Sequence, residues 1–347
     1  MNPISTALLS YGMSGEIFHA PLLDTHQGFK LSKIVQRNST RANIRYPHTK
    51  VVRDIEDVLS DETIELVIVN TPNETHYPFA VKALEAGKHV VVEKPFSVTT
   101  KEADSLIELA RKRGKLLTVF QNRRWDGGFL TIKKIIQDKL LGGIAEFELH
   151  YDRYRNYIEA NTWKEESAPG TGILYNLGSH MLDQVLVLFG VPTEIDARIG
   201  IQRPGGKVDD FYDIRLQYHG FHAIVKSSYL VREAVPRYII HGTNGSFIKY
   251  GIDPQEQALK EGKIPGSTSW GWEPKECWGK LNTNIGSLHV EGQVETLPGN
   301  YLSFYKNIYE VIREGQDLAV KPEESRDVIK IIEACMESNS LRKAIKF

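Results

Sequence analysis

The first third of the chain alternates short, nearly unbroken apolar runs with stretches of helical spacing, and this rhythm restricts the fold more than any other feature. The expected strands are Ile4 to Leu9, Leu31 to Val35, Leu66 to Asn70, His89 to Glu93 and Leu116 to Phe120. Between them, Pro78, Val81 and Leu84 lead to a stop at Gly87. Leu106, Ile107, Leu109 and Ala110 share one side of a segment that begins after Val98-Thr99-Thr100 and ends near Gly114. Strands that are apolar on both faces need cover on both faces. Helices returning between them make the strands parallel. Residues 1–122 are therefore expected to form an α/β domain with a doubly wound parallel sheet of the Rossmann type.

Beyond Trp125 the pattern changes. A helix from Leu130 to Leu140 ends at Gly142-Gly143, a strand follows over Ala145 to Tyr151, and a second helix spans Asn176 to Phe189. Strand-like runs then crowd together: Glu194 to Ile201, Phe211 to Tyr218, Ala223 to Leu230, Tyr238 to His241 and Ser246 to Tyr250. Gly205-Gly206 and Asn244-Gly245 supply hairpin turns. Residues 123–347 are expected to form an α+β domain on a large, mainly antiparallel sheet. Pro254 to Glu291 reads as long loops with short strands, and two helices, Tyr301 to Gly315 and Glu323 to Ala344, close the chain.

The first strand runs into Ser10-Tyr11-Gly12-Met13-Ser14-Gly15, a dinucleotide fingerprint with serine at its first glycine position. The chain must turn sharply, let backbone approach a pyrophosphate at Gly12, and pack a helix tightly at Gly15. The helix start then offers free N–H groups and a positive dipole end to the anion. Tyr11, Gly12, Ser14 and Gly15 are the expected cofactor contacts.

The end of the second strand chooses between cofactors. NAD proteins place a carboxylate there for the ribose 2′-hydroxyl. This chain reads Val35-Gln36-Arg37-Asn38-Ser39-Thr40-Arg41, with cations at Arg37 and Arg41 and donors at Asn38, Ser39 and Thr40. That set suits a 2′-phosphate, so NADP is expected over NAD.

The 347 residues leave ample chain for two cores, and a formal net charge of -1 gives no field that would attract nucleic acid. No apolar run approaches the length of a membrane span, and the first residues lack the basic region of a secretory signal. The two cysteines, Cys277 and Cys335, lie far apart and read as reduced thiols, so a cytoplasmic location is expected.

Three further motifs identify a family. Thr71-Pro72-Asn73-Glu74-Thr75-His76 follows the third expected strand, Glu93-Lys94-Pro95 follows the fourth, and Gly172-Ile173-Leu174-Tyr175-Asn176-Leu177-Gly178-Ser179-His180 stands in the second domain. Together they resemble the Gfo/Idh/MocA oxidoreductases over nearly the whole chain. YGMSGEIFHAP (Tyr11 to Pro21), QNRRWD (Gln121 to Asp126), DRYR (Asp152 to Arg155) and HGTNGSFIKYGIDPQEQ (His241 to Gln257) are similar to the NADP-linked scyllo-inositol dehydrogenases within that family.

The resemblance implies roles. Thr71, Pro72, Asn73 and His76 would line the cofactor, joined by Glu93 and Lys94. Gln121, Arg124 and Trp163 would border the ligand cleft, with Arg155 and Asn176 toward substrate. Lys94 would contact the nicotinamide ribose and the reacting hydroxyl, and His180 would accept the proton when an alcohol is oxidised. Elementary chemistry agrees. Histidine titrates near neutrality and suits general-base work, and an ammonium stabilises a developing alkoxide.

The family usually carries aspartate four residues before the histidine, where this chain has Asn176. An amide can hydrogen-bond an imidazole but cannot stabilise its cation by charge. Asp183, one turn beyond His180, is the candidate replacement. His180 and Asp183 have no third ligand near them in sequence, so no metal is expected. Arg153 and Arg155 either orient substrate hydroxyls or pair with surface carboxylates.

These features make an NAD(P)-dependent dehydrogenase acting on a secondary alcohol of a cyclic polyol or sugar the expected activity. The alternatives are a reductase of another carbonyl (a ketosugar, a dihydrodiol or a tetrapyrrole) and a non-catalytic NAD(P)-binding regulator. A small polar substrate and self-association to a dimer or tetramer, as the family forms, are the expected partners.

Overall fold

The computed structural model describes residues 2–160 and 162–347. Its contacts divide the chain into two units. One holds residues 1–125, 254–270 and 300–326; the other holds 126–253, 271–299 and 327–347. The expected single boundary at 122/123 is therefore incomplete, because two later segments return to the first unit. The second return has a clear cause. Tyr301, Phe304, Tyr305 and Ile308 form an apolar stripe on the helix Leu302–Glu314 and are buried in one cluster with Phe29, Leu31 and Phe120.

The first unit is built on six strands: β1 (Ile4–Leu8), β2 (Phe29–Val35), β3 (Lys50–Val52), β4 (Leu66–Val69), β5 (His89–Val92) and β6 (Leu117–Val119). They pair in the order β3-β2-β1-β4-β5-β6, all parallel. This is the doubly wound order that switches direction at β1, where such sheets bind ligands beyond the strand ends. All four residues of β4 are buried, as its unbroken apolar sequence requires. The helix Thr100–Arg113 starts at a capping box, in which Thr99 accepts from the Glu102 N–H and Glu102 accepts from the Thr99 N–H. It stops at Gly114, whose φ of 62° lies in the left-handed region.

The second unit carries a nine-stranded sheet: β7 (Ile144–His150), β8 (Glu194–Gly200), β9 (Phe211–Tyr218), β10 (Phe221–Ser228), β11 (Tyr238–Gly242), β12 (Gly245–Lys249), β13 (Gly279–Ile285), β14 (Leu288–Val294) and β15 (Ile345–Lys346). The order is β14-β13-β12-β11-β7-β10-β9-β8-β15, with β7 and β10 parallel and every other pair antiparallel. Alternate residues point inward: Tyr212, Ile214, Leu216 and Tyr218 on β9 are buried. The helix Ser179–Phe189 covers that face; the Phe189 ring packs 5.2 Å from Phe147, and Tyr238 Oη donates to Gln184 Oε1.

Pro254 to Glu291 departs from the loops expected of it. It contains a helix, Gln255–Lys260, and enters a hairpin of two seven-residue strands, β13 and β14. The alternation is present, with Gly279, Leu281 and Thr283 buried between exposed Lys280, Asn282 and Asn284. Few of those residues are apolar, because β14 is an edge strand with solvent on both faces. Among the described residues, no helix is long and apolar enough to cross a membrane.

Candidate functional site

In the first unit the Ser10–Gly15 turn is held by a side chain that sequence reasoning overlooked. Asn70, just beyond β4, accepts from the Ser10 N–H at 3.0 Å and donates to Ser10 O at 2.8 Å. The turn is fixed at both ends of one residue. Gly15 packs directly against this clamp: a Cβ there would lie 2.4 Å from Ser10 O and 2.7 Å from Asn70 Nδ2. Only glycine permits that approach. Gly12 is exposed, and the Gly12 carbonyl accepts from Glu16 N, the first bond of the helix. The helix begins with a wide π turn, Gly15–His19, closed by Ala20 N–H donating to Gly15 O, and continues as Ala20–Thr25. Ser14 is half-buried at its start. Tyr11 is buried edge-on to Tyr46, with ring centroids 6.4 Å apart, and burial pushes its hydroxyl pKa up.

The loop after β2 is equally well made. Gln36 accepts from the Ala42 N–H at 2.9 Å and donates to Ser39 Oγ at 2.8 Å. Arg37, Asn38, Ser39 and Arg41 are exposed. Arg41 is the exception to the expected free cations. Its Nη2 meets Glu16 Oε2 at 2.8 Å and donates to Tyr11 O at 2.9 Å. Its charge is countered, and it ties this loop to the phosphate-binding turn.

At the carboxyl ends of β4 and β5, two buried histidines frame Lys94. His76, expected to line the cofactor, is fully buried instead: Nδ1 lies 2.7 Å from Pro95 O, and Nε2 lies 2.9 Å from Thr71 O. Burial lowers its pKa, against the pull of the two carbonyl acceptors, which favour the doubly protonated ring. His76 therefore shapes the Thr71-Pro72-Asn73 loop from beneath. Thr71 and Asn73 are half-buried and Pro72 is exposed. The second histidine, His19, ends the π turn. Its Nδ1 is 2.6 Å from Tyr305 Oη and its Nε2 is 2.9 Å from Glu93 Oε1.

Glu93, also expected at the cofactor, uses its carboxylate internally. Oε1 faces His19, and Oε2 accepts from the Lys94 N–H at 2.9 Å. Because a carboxylate only accepts, His19 donates from Nε2, while Nδ1 and Tyr305 Oη share the second hydrogen bond. Burial pushes the Glu93 pKa up, but the His19 hydrogen bond and the charges of His19, Lys94 and His76 outweigh it and hold the pKa below its ordinary value. Lys94 itself is half-buried.

Gln121 and Arg124 follow β6 and are buried. Arg124, expected to border the cleft, donates from Nη1 to Ala319 O at 3.0 Å and to Glu324 Oε2 at 2.7 Å, which fastens the returning segment to this unit.

In the second unit His180 lies near the start of the helix Ser179–Phe189 with 6% of its surface exposed, and Asp183 is more deeply buried. A π turn, Leu174–Gly178, precedes this helix and carries half-buried Asn176. The turn is anchored by Asp209, another residue sequence reasoning passed over. Asp209 Oδ2 accepts from the Leu174 N–H at 2.8 Å, and its carbonyl accepts from the Ile173 N–H at 2.9 Å. Burial pushes the Asp209 carboxyl up to about 6, against the pull of those N–H groups.

Gly172, with φ of 93°, gives the carboxylate room, since a Cβ would sit 1.9 Å from Asp209 Oδ1. Next to it, the buried Arg203 guanidinium joins Asp210 Oδ2 and Glu165 Oε2, each at 2.8 Å, and donates to Tyr157 O. That network pins the loop bearing Trp163, which is 43% exposed. Arg155 lies over the Tyr229 ring and 3.6 Å from Glu159, a surface pairing.

The first unit fits a dinucleotide. The clamped turn leaves Gly12 open, Gly15 admits the close helix, and no carboxylate stands in residues 29–53. A parallel sheet in this order with such a turn at its switch point defines a dinucleotide-binding domain.

The chain belongs to the Gfo/Idh/MocA oxidoreductase family. Residues 4–121 match its NAD-binding Rossmann fold and residues 133–347 its C-terminal alpha/beta domain. The chain is 43% identical to scyllo-inositol 2-dehydrogenase (NADP(+)) IolW of Bacillus subtilis, covering 99% of this chain and 96% of that one. It is 38% identical to the uncharacterized oxidoreductase YdgJ of Escherichia coli, covering 99% and 98%. The solved structure of the oxidoreductase yvaA of Bacillus subtilis superposes with a TM-score of 0.97 at 42% identity, covering 100% of this chain and 99% of that one. The protein is thus an oxidoreductase that uses a nicotinamide cofactor.

Proposed function

We propose that this protein is an NADP-dependent dehydrogenase that oxidises a secondary alcohol of an inositol-like cyclic polyol, or reduces the corresponding ketone. The observation that carries the cofactor preference is the loop after β2, where neutral Gln36 stands at the strand end and arginines follow it. The substrate class draws its support from the relative IolW, whose name carries both scyllo-inositol and NADP(+).

Held by the Ser10–Gly15 turn and the loop after β2, the nicotinamide cofactor would supply the hydride acceptor for the carbinol carbon. The hydroxyl proton passes to the imidazole of His180 acting as general base. The Lys94 ammonium stabilises negative charge as it grows on that oxygen. Glu93, fixed by His19, holds the Lys94 backbone, and the Asp209 anchor holds the turn that leads to His180. Asn176, Asp183, Trp163 and Arg155 are assigned to substrate. Tyr11, Gly12, Ser14, Gly15, Arg37, Asn38, Ser39, Thr71, Pro72, Asn73 and Gln121 are assigned to the cofactor.

A second copy of the chain is the proposed protein partner. It would meet the face of the nine-stranded sheet that carries Glu146, Glu148, His150 and Lys226, opposite buried Phe147, Leu149 and Val225. A monomer mass by light scattering would reject this.

Initial rates of NADP+ and NAD+ reduction against inositols, aldoses and linear polyols test the activity. Turnover of a cyclic polyol with NADP+, lowered at least about a hundredfold by His180→Ala, is expected. Turnover confined to aldoses, or a His180→Ala variant as active as the parent, would contradict the assignment.

A further inference from the structure

We infer that Arg53, outside every motif in the sequence, binds the 2′-phosphate of the cofactor and sets the preference for NADP; the inference rests on the NADP reading above. β2 and β3 end side by side: Val35 pairs with Val52, and the Gln36 N–H donates to Val52 O at 2.9 Å. Arg53 is the next residue, so it stands beside the loop where a parallel sheet of this order receives the adenosine ribose.

Its guanidinium is half engaged. Nη1 donates to Gln36 O at 2.6 Å and Ser39 O at 2.7 Å, and approaches Arg37 O at 3.4 Å. These bonds close the loop from one side while Gln36 closes it from the other. Nε and Nη2 donate to no described residue, and the side chain is exposed. Two donors on the outer edge of a fixed guanidinium match two oxygens of a phosphate.

The surrounding charge points the same way. Residues 29–53 contain seven lysines and arginines and no carboxylate. Of the arginines, Arg41 is neutralised by Glu16 and Arg45 lies over the Tyr46 ring at 5.7 Å. Arg37 and Arg53 form no ion pair with a described residue. Arg37 is an exposed side chain on the loop, whereas Arg53 is anchored to three of its carbonyls. A fixed cation loses less conformational freedom on binding an anion, so Arg53 is the principal determinant and Arg37 its auxiliary.

Calorimetric titration of the full-length protein with NADP+ and NAD+ tests this. The parent should bind NADP+ the more tightly. Arg53→Met should weaken NADP+ at least about tenfold while changing NAD+ less than about twofold, and Arg53→Lys should fall between. The 31P resonance of the 2′-phosphate of bound NADP+ gives a second readout: its titration midpoint should move to higher pH in Arg53→Lys as the guanidinium is lost. A parent that binds both cofactors equally would end the NADP reading itself. A parent that prefers NADP+, with Arg53→Lys and Arg53→Met keeping that ratio, would overturn only the role of Arg53. Equal loss of both cofactors would do the same, reducing Arg53 to a loop clamp. Should Arg53→Met fail to fold, the Arg53→Lys ratio and its 31P titration decide the matter.

Discussion

Replacing His19 by phenylalanine isolates the buried chain Tyr305–His19–Glu93. The ring outline is kept and both nitrogens go, so packing against Phe120, 4.4 Å away between centroids, changes little. Glu93 then loses its side-chain donor and keeps the Lys94 N–H. Leaving a buried carboxylate uncompensated costs about 3–5 kcal/mol. The remaining donor puts this case near about 3 kcal/mol at pH 7. For a body of this size, that lowers the unfolding midpoint by roughly 6–12 °C.

The pH dependence carries the diagnosis. In the parent the Glu93 pKa is depressed, so its contribution is complete above the unfolded carboxyl range and is lost as pH falls through the folded value. In His19→Phe, burial prevails and raises that pKa, so the penalty is full at neutral pH and is relieved as acid protonates the carboxylate. Thermal unfolding of both proteins, followed by circular dichroism at pH 7.5 and 4.5, should show a wide gap at the first and a narrow one at the second. Adding Glu93→Gln to His19→Phe should recover most of the loss at pH 7.5. An equal gap at both pH values, with no recovery from the amide, would falsify the claim that an uncompensated carboxylate is the cause.

Two further outcomes follow from contacts in the structure. Gly15→Ala forces a Cβ to within 2.4 Å of Ser10 O, so the turn must open; NADP+ affinity by fluorescence titration should fall more than about tenfold, with a stability loss of about 1–3 kcal/mol. Asp209→Asn keeps a carbonyl oxygen for the Leu174 N–H but removes a carboxyl that burial raises to about 6. A raised carboxyl pKa begins to cost stability once pH exceeds the unfolded value, about 4, and costs the full amount above the folded value. The variant should therefore gain on the parent at pH 8, keep part of that advantage at pH 5 and lose it by about pH 4, as thermal midpoints at the three pH values will show.

The parallel sheet was legible because β4 is an unbroken apolar run, β5 is nearly one, and β1, β2 and β6 each end in apolar residues between helical stretches. β3, three residues beginning with an exposed lysine, carries too little pattern to be read. The return of later segments to the first unit was hidden for a different reason. The Tyr301–Ile308 stripe announces an amphipathic helix but not which core it joins, since periodicity records a face and not its partner. In the site, motif residues were found while their supports were not. Asn70, His19, Asp209 and Arg53 act through polar bonds to residues far away in sequence, and little in their local sequence distinguishes them from solvated side chains. His19 alone had a signal, its place within YGMSGEIFHAP.

The supports share a logic that the motif residues do not reveal. Each ties the backbone at a residue that must be placed accurately: Asn70 at Ser10, Glu93 at Lys94, His76 at Thr71 and Pro95, Asp209 at Leu174. Both helices that carry functional assignments also open with a π turn, Gly15–His19 and Leu174–Gly178. Such a turn spends one residue more than an α turn and is retained where a side chain must leave the regular helical register. In the first it delivers His19 to Glu93. In the second it lies between the Asp209 anchor and His180, so the direction of Asn176 is set by the wide turn and not by the α-helical spacing of four assumed from sequence. An amide in place of the family's aspartate is therefore a change within a specially wound turn, and its effect on His180 depends on that winding as much as on the lost charge.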